Sequence, residues 1–206
     1  MVFKHISNLE KGITLIEIIV VIFIIGIFSV ILVSDFPKIQ RQFALSRAAY
    51  KLGQDIRRAE DLGLSGVQVA SGIKGYGIFL NTFLVPNQYI IYADVNGDQK
   101  YNGNFLFTDN DICSQARVPT ADCVIEKIDV TKENPSLQIK KIFYAGDVIN
   151  SDVGKYLDIN FSPPDPTVKI NEIPDGVNKV GIVLELRVDS PTRTVWVNKA
   201  GMIEVK

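Results

Sequence analysis

The sequence predicts an α+β chain: one long N-terminal helix, apolar and then amphipathic, packed on a C-terminal antiparallel β-rich domain. Three observations predict it. From Ile13 to Val33 the chain is apolar except at Thr14, Glu17, Gly26 and Ser29. From Leu45 onward, Leu45, Ala49, Leu52, Ile56, Ala59 and Leu62 recur at spacings of three and four, the period of a helix with one buried stripe. Beyond Gly66 the helical period gives way to short β-branched and aromatic runs separated by Gly, Pro and Asn.

The first element is the apolar run. A bilayer core takes about 20 apolar residues in helical form, so this run is long enough to span one. Glu17 lies one helical turn inside it, and a carboxylate within a spanning helix costs roughly 2.5 to 3.5 kcal/mol at the centre and less near an end. Such a group calls for a partner. Cleavage after Gly12 would create one, a free amine on Ile13, four residues before Glu17 and on the same helix face. Attraction between that amine and the carboxylate in a low-dielectric medium offsets part of the desolvation. The pair forms within one chain or between neighbours. A secretory signal fits less well, because no small-residue cleavage pattern follows Val33.

Pro37 follows, and its ring disfavours helical geometry at Phe36. The stripe resumes at once, so one kinked helix from about Ile13 to about Leu64 is expected, with two helices joined at Pro37 as the alternative. Arg41, Arg47, Lys51, Asp55, Arg57, Arg58 and Asp61 fall mostly off the stripe. Gly63 and Gly66 close the segment. The domain organisation is therefore a leader at 1–12, a spanning helix at 13–33, an amphipathic helix at 34–64 and a β-rich domain at 65–206.

Within that domain Tyr76–Leu80 and Gln88–Ala93 read as an antiparallel pair, entered through a glycine-rich turn at 71–77. The next loop, Asp94–Asn102, sets oxygen ligands at alternate positions, Asp94, Asn96 and Asp98, as at the start of a calcium loop, with the Lys100 carbonyl and Asn102 extending the set. Gln99 stands where such a loop has glycine, and Phe105 where it has glutamate, so Asp109 or Asp111 would have to fold back. Asn-Gly and Asp are also ordinary turn residues, and a plain turn is the competing reading. Cys113 and Cys123 bracket a short polar loop; in an oxidising compartment they form a disulfide. Zinc lacks ligands, since the single histidine, His5, lies in the leader. Further strands are expected at 124–130, 137–144, 156–161, 168–170, 182–188, 194–197 and 202–205, with Trp196 in the core or packed on a sheet.

At the N-terminus the residues Gly12-Ile13-Thr14-Leu15-Ile16-Glu17 resemble the cleavage and methylation site of type IV prepilins and type II secretion pseudopilins. The usual first mature residue is phenylalanine; here it is Ile13. The resemblance implies that a prepilin peptidase cuts after Gly12 and methylates the amine of Ile13, and that Glu17 pairs with a neighbour's N-terminus during assembly. It places the C-terminal domain outside the cytoplasmic membrane, then in a filament. The segments 48–59, 75–78 and 193–201 look like H-type minor pseudopilins and FimT-like minor pilins, in which a long helix precedes a twisted β-rich domain. The implied partners are other pilin or pseudopilin subunits, the peptidase, an inner-membrane assembly platform and, before assembly, lipid. Such filaments serve secretion, adhesion, motility or DNA uptake.

Composition bears on the alternatives. The formal net charge is −1, and Lys140, Lys141, Lys199 and Lys206 are too scattered to make a nucleic-acid surface. Without its leader the chain has no histidine, which removes His-based triads and histidine metal sites. An enzyme is not expected, and no cofactor is required, calcium being the one candidate. The alternative function is a membrane-anchored extracellular β domain that binds DNA or a surface without polymerising.

Overall fold

The structure, a computed structural model, describes residues 12–66, 72–107, 112–113, 121–145, 155–163, 168–171, 177–188 and 190–206. A single helix, α1, runs over Leu15–Ser65 and passes through Pro37 without a break in its assignment. Gly66, at φ +63°, follows its last turn in the left-handed conformation that ends helices. The expectation of one long helix holds, with its start two residues later than Ile13. The chain divides into two compact units at Gln40 and Arg41.

In the first unit the apolar side chains from Ile13 to Val33 are exposed along the whole run. In the second, Leu45, Ala49, Leu52, Ile56 and Ala59 of α1 are buried, as their spacing predicts. They meet the inner faces of two antiparallel sheets in one core. Among the described residues nine strands make up these sheets: β1 Gly75–Asn81, β2 Gln88–Asp94, β3 Cys123–Asp129, β4 Leu137–Ala145, β5 Tyr156–Phe161, β6 Val168–Ile170, β7 Lys179–Leu186, β8 Thr192–Asn198 and β9 Ile203–Val205. One sheet has the order β3-β2-β1-β5-β6, the other β4-β7-β8-β9.

Each sheet carries a bulge that re-aims a side chain. In β3 the register passes from Ile91↔Glu126 to Tyr92↔Val124, which leaves Ile125 as the extra residue next to the end of β2. In β4 it passes from Ile139↔Leu184 to Lys141↔Val183, and the extra residue, Lys140, reaches the buried Glu185 at 2.5 Å.

The sequence reading differs from the fold at several points. Val130 starts a short 3-10 turn rather than ending a strand. β7 begins at Lys179, ends before Val188 and is buried on both faces, so its alternating pattern does not mark a solvent side. Gly75 and Gly77 belong to β1 rather than to the turn before it. At Gly77 the reason is close approach, since a Cβ there would lie 2.5 Å from the Tyr92 ring. Trp196 packs on a sheet, as one of the two expected placements has it, edge-to-face with Phe143 at 4.7 Å on the outer side and only partly buried. Asp55, expected on the polar side of α1, is buried and accepts the Tyr89 hydroxyl at 2.6 Å.

The outer face of the first sheet is not solvent-facing either. The loop 95–107 folds over it and inserts Tyr101 and Phe107 against Phe79, Ile90, Tyr92 and Val124, forming a second small core.

Candidate functional site

Two places carry chemistry, and the first is the start of α1. Thr14 precedes the helix, and its hydroxyl accepts the Glu17 N–H at 3.3 Å while its carbonyl accepts the same N–H at 3.1 Å. Thr14-Leu15-Ile16-Glu17 thus has the residue pattern of a capping box, with an acid in the first turn where the helix dipole favours it. Ile13 lies ahead of the helix, because Thr14 takes the capping position. Gly12 has open space around its Cα, and Gly12 and Ile13 are both exposed. The leader at 1–11 lies outside the described residues.

The second place is the loop after β2. Asp94, fully buried, accepts the N–H of Gly97 at 2.6 Å on one carboxylate oxygen and that of Gln99 at 2.9 Å on the other. Asn96 accepts the Asp98 N–H at 2.9 Å. Asp98, exposed, accepts the Lys100 N–H at 2.9 Å and the Asn102 amide at 2.6 Å. The third acid comes from elsewhere. Asp122 accepts the N–H of Val95 at 3.0 Å and of Asn102 at 2.8 Å. Carboxylate oxygens of Asp94, Asp98 and Asp122 all lie within 4.8 Å of one another.

Burial pushes the Asp94 and Asp122 carboxyls up, and their backbone N–H partners pull the other way. The like charge of Asp98 adds to the rise in both. Asp98 itself is held below the usual carboxylate range, because hydrogen bonds from Asn102 and Lys100 outweigh its slight burial. Behind the loop, Asp158 is buried under Tyr92 and Tyr101. It accepts the Tyr92 hydroxyl at 2.6 Å and the Tyr101 N–H at 2.5 Å, and burial pushes it up to about 7. Among the described residues, two lysines are tied to this loop by hydrogen bonds: the Lys74 ammonium reaches the Asn96 carbonyl at 2.9 Å, and the Lys127 ammonium reaches the Phe107 carbonyl at 2.9 Å.

Of the residues read from the sequence, Asp94 and Asp98 are brought together, while Asn96 spends its side-chain oxygen on the turn. Phe105, at the twelfth position, stacks on Phe79 at 5.3 Å and turns away from the acids. Asp109 and Asp111 lie outside the described residues. Sequence reasoning misses Asp122 as a ligand candidate. Its neighbour Cys123 is bonded to Cys113, as expected, and the Cys113 N–H donates to the Val124 carbonyl at 2.8 Å. The signal that could have found it is an acid flanking a bridged cysteine beside the second strand's partner. Three carboxylates make an oxygen set of the kind hard cations such as calcium take.

Comparison with protein families matches residues 7–33 to the prokaryotic N-terminal methylation motif. The chain carries a type IV prepilin signal. The match covers the anchor and the residues around Gly12, Ile13 and Glu17; the β domain lies beyond it. No curated protein and no solved structure matches the chain. The prepilin signal indicates a pilin-like precursor, implies processing by a prepilin peptidase and assembly with other pilin subunits, and fits anchoring in the inner membrane.

Proposed function

We propose that this chain is a minor pilin or pseudopilin, a structural subunit of a type IV pilus or type II secretion pseudopilus. It is cut after Gly12, methylated on Ile13 and assembled through its N-terminal helix. One observation carries the reading: the prepilin signal coincides with an apolar helix that has no cover of its own along Ile13–Val33. Burying that surface against other helices supplies the driving force for a filament. Glu17 would meet a neighbour's methylated amine. The β domain would face outward, and the H-type and FimT-like resemblance of 48–59, 75–78 and 193–201 supports a minor rather than a major subunit. The role is structural rather than enzymatic. Calcium at Asp94, Asp98 and Asp122, with Asn96 beside them, is proposed as a stabilising ligand and not as a required cofactor.

N-terminal mass spectrometry on protein from its own cells tests the reading. A chain beginning at methylated Ile13 is the expected result. A chain beginning at Met1 in cells with an active peptidase would leave an anchored β domain that does not polymerise.

A further inference from the structure

β9 is the last strand of its sheet, and its outer edge has no strand partner among the described residues. Glu204 lies opposite Trp196, and Lys206 exchanges both backbone hydrogen bonds with Thr194, at 2.8 and 2.9 Å. Alternation along the strand then turns the N–H and C=O of Ile203 and Val205 away from β8. These groups make a row of donors and acceptors on the free edge, a template for another strand.

A groove of about 250 Å³ adjoins that edge, wholly within the unit from Arg41 onward. Tyr50, Gly53, Gln54 and Arg57 line it from α1, and Ile203 and Val205 line it from the strand. No described residue of β8 lines it, so it opens on the free side of β9. Helix and strand come close at Gly53, where a Cβ would lie 3.5 Å from Ile203 Cγ2 and 3.6 Å from Val205 Cγ2. Tyr50, 61% exposed, and the exposed Gln54 and Arg57 rise beside that contact. The helix is therefore a wall along the place that a further strand would take. An edge with a wall of side chains beside it is a peptide-binding arrangement: the edge supplies main-chain bonds and the wall supplies selectivity. Arg57 is the one charged residue among those lining the groove. Its charge acts on Glu60, one turn on, without an ion pair among the described residues.

We propose that this groove takes an extended segment of a neighbouring subunit as a further β-strand, with a carboxylate of that segment against Arg57. The inference rests on the pilin-like reading above, which supplies the neighbour. The chemistry of the groove selects the occupant. Backbone groups at Ile203 and Val205 call for an extended chain rather than a helix, and a guanidinium without an acid partner calls for a carboxylate. The added strand is short, because β9 has three residues, or about 10 Å of edge. So small a contact is weak alone. It counts once neighbours are already held together through their N-terminal helices, which makes the second contact intramolecular in effect.

The test uses the full chain in its own cells, carrying the photo-cross-linker p-benzoylphenylalanine in place of Gln54 in the groove or of Phe28 in the apolar run. The groove adduct, digested and sequenced by mass spectrometry, is expected to join an extended, acid-bearing segment of another prepilin-derived subunit. Val205→Pro removes an outward N–H without touching a bond to β8. Arg57→Glu repels a carboxylate. Each is expected to lower the groove adduct by about tenfold or more and to leave the anchor adduct as it is. An anchor adduct with no groove adduct would overturn the docking site and keep the filament. A groove adduct that either variant leaves unchanged, or that joins a helix or a protein without a prepilin signal, would overturn strand addition by a subunit. Adducts at neither position would overturn the pilin-like reading itself, and this proposal with it.

Discussion

Asp158 illustrates what a single buried carboxylate does to this domain. It accepts two hydrogen bonds, yet burial dominates, with the charges of Asp122 and Asp94 adding to the rise, and it titrates near 7 against an ordinary value of 3.8. The folded state therefore holds a proton that the unfolded chain releases over that interval. Folding stability is greatest below about pH 4 as far as this group is concerned, and it is lost as pH rises through about 7. Asp158→Asn removes the titrating group and leaves one carbonyl oxygen to serve as acceptor for the Tyr92 hydroxyl or the Tyr101 N–H, which the carboxylate accepts together. The variant is expected to flatten the pH dependence of Tm between about 4 and 7. Melting curves across that range check this; an unchanged slope would show that the carboxylate titrates outside it. Nothing in the sequence around Asp158 announces this role, because Tyr92 and Tyr101 come from other elements. Asp55 escapes a sequence reading for the same reason: its partner Tyr89 lies on β2, and helical spacing says nothing of it.

At the scale of elements, periodicity is a good guide wherever one face of an element is buried and the other is not. The stripe of α1 is such a case; β1 and β2, covered on both faces, are legible instead from their β-branched and aromatic content and from the turn between them. Periodicity fails where both faces are covered. The outer face of β7 is covered by the Phe143 and Trp196 rings at Gly181 and by Lys140, turned by a bulge, at Glu185. The aromatic residues of the 95–107 loop look like loop composition until they are seen filling the outer face of a sheet. The acid loop lies between these cases. Its alternating Asp94, Asn96 and Asp98 are legible, but the third acid arrives from Asp122, on a segment placed by the β3 bulge and the disulfide to Cys113. A cation there would screen three carboxylates whose mutual repulsion Lys74, acting on Asp94, and Lys100, acting on Asp98, offset only in part. Calcium at about 100 times its Kd should add roughly 3 kcal/mol of stability, or several degrees of Tm for a domain of this size. Asp98→Asn keeps the Lys100 N–H bond and removes one ligand charge from an exposed position, so it should abolish most of the shift. Thermal melts of the full chain in detergent, with calcium and with chelator, decide it. Equal melting points in the two conditions would leave the loop as a plain turn.

For the molecule as a whole, the decisive fact is that the two compact units have opposite needs. The unit from Arg41 onward buries its own core, whereas the apolar side chains from Ile13 to Val33 are exposed, with no cover from the described residues. In the proposed reading lipid meets that need first, and helices of neighbouring subunits meet it in a filament. Lipid serves Glu17 poorly. Its backbone N–H is capped by Thr14, but capping leaves the carboxylate without a counter-charge, and the proposed cut after Gly12 would supply an amine as one. The two environments can therefore be separated by one substitution. Glu17→Leu removes the polar cost of insertion, so the variant should reach the membrane and be processed as well as the parent. In a filament it lacks the partner for the incoming amine, which would then be buried without a counter-charge, a loss on the order of 3 to 5 kcal/mol when a buried pair is broken from one side. Incorporation into sheared filaments, followed by immunoblot against the membrane fraction of the same cells, should fall well over tenfold. Glu17→Asp, which keeps the charge on a shorter arm, should fall between. Parental incorporation of Glu17→Leu would mean that apolar burial alone selects the subunit and that the acid serves only to start the helix.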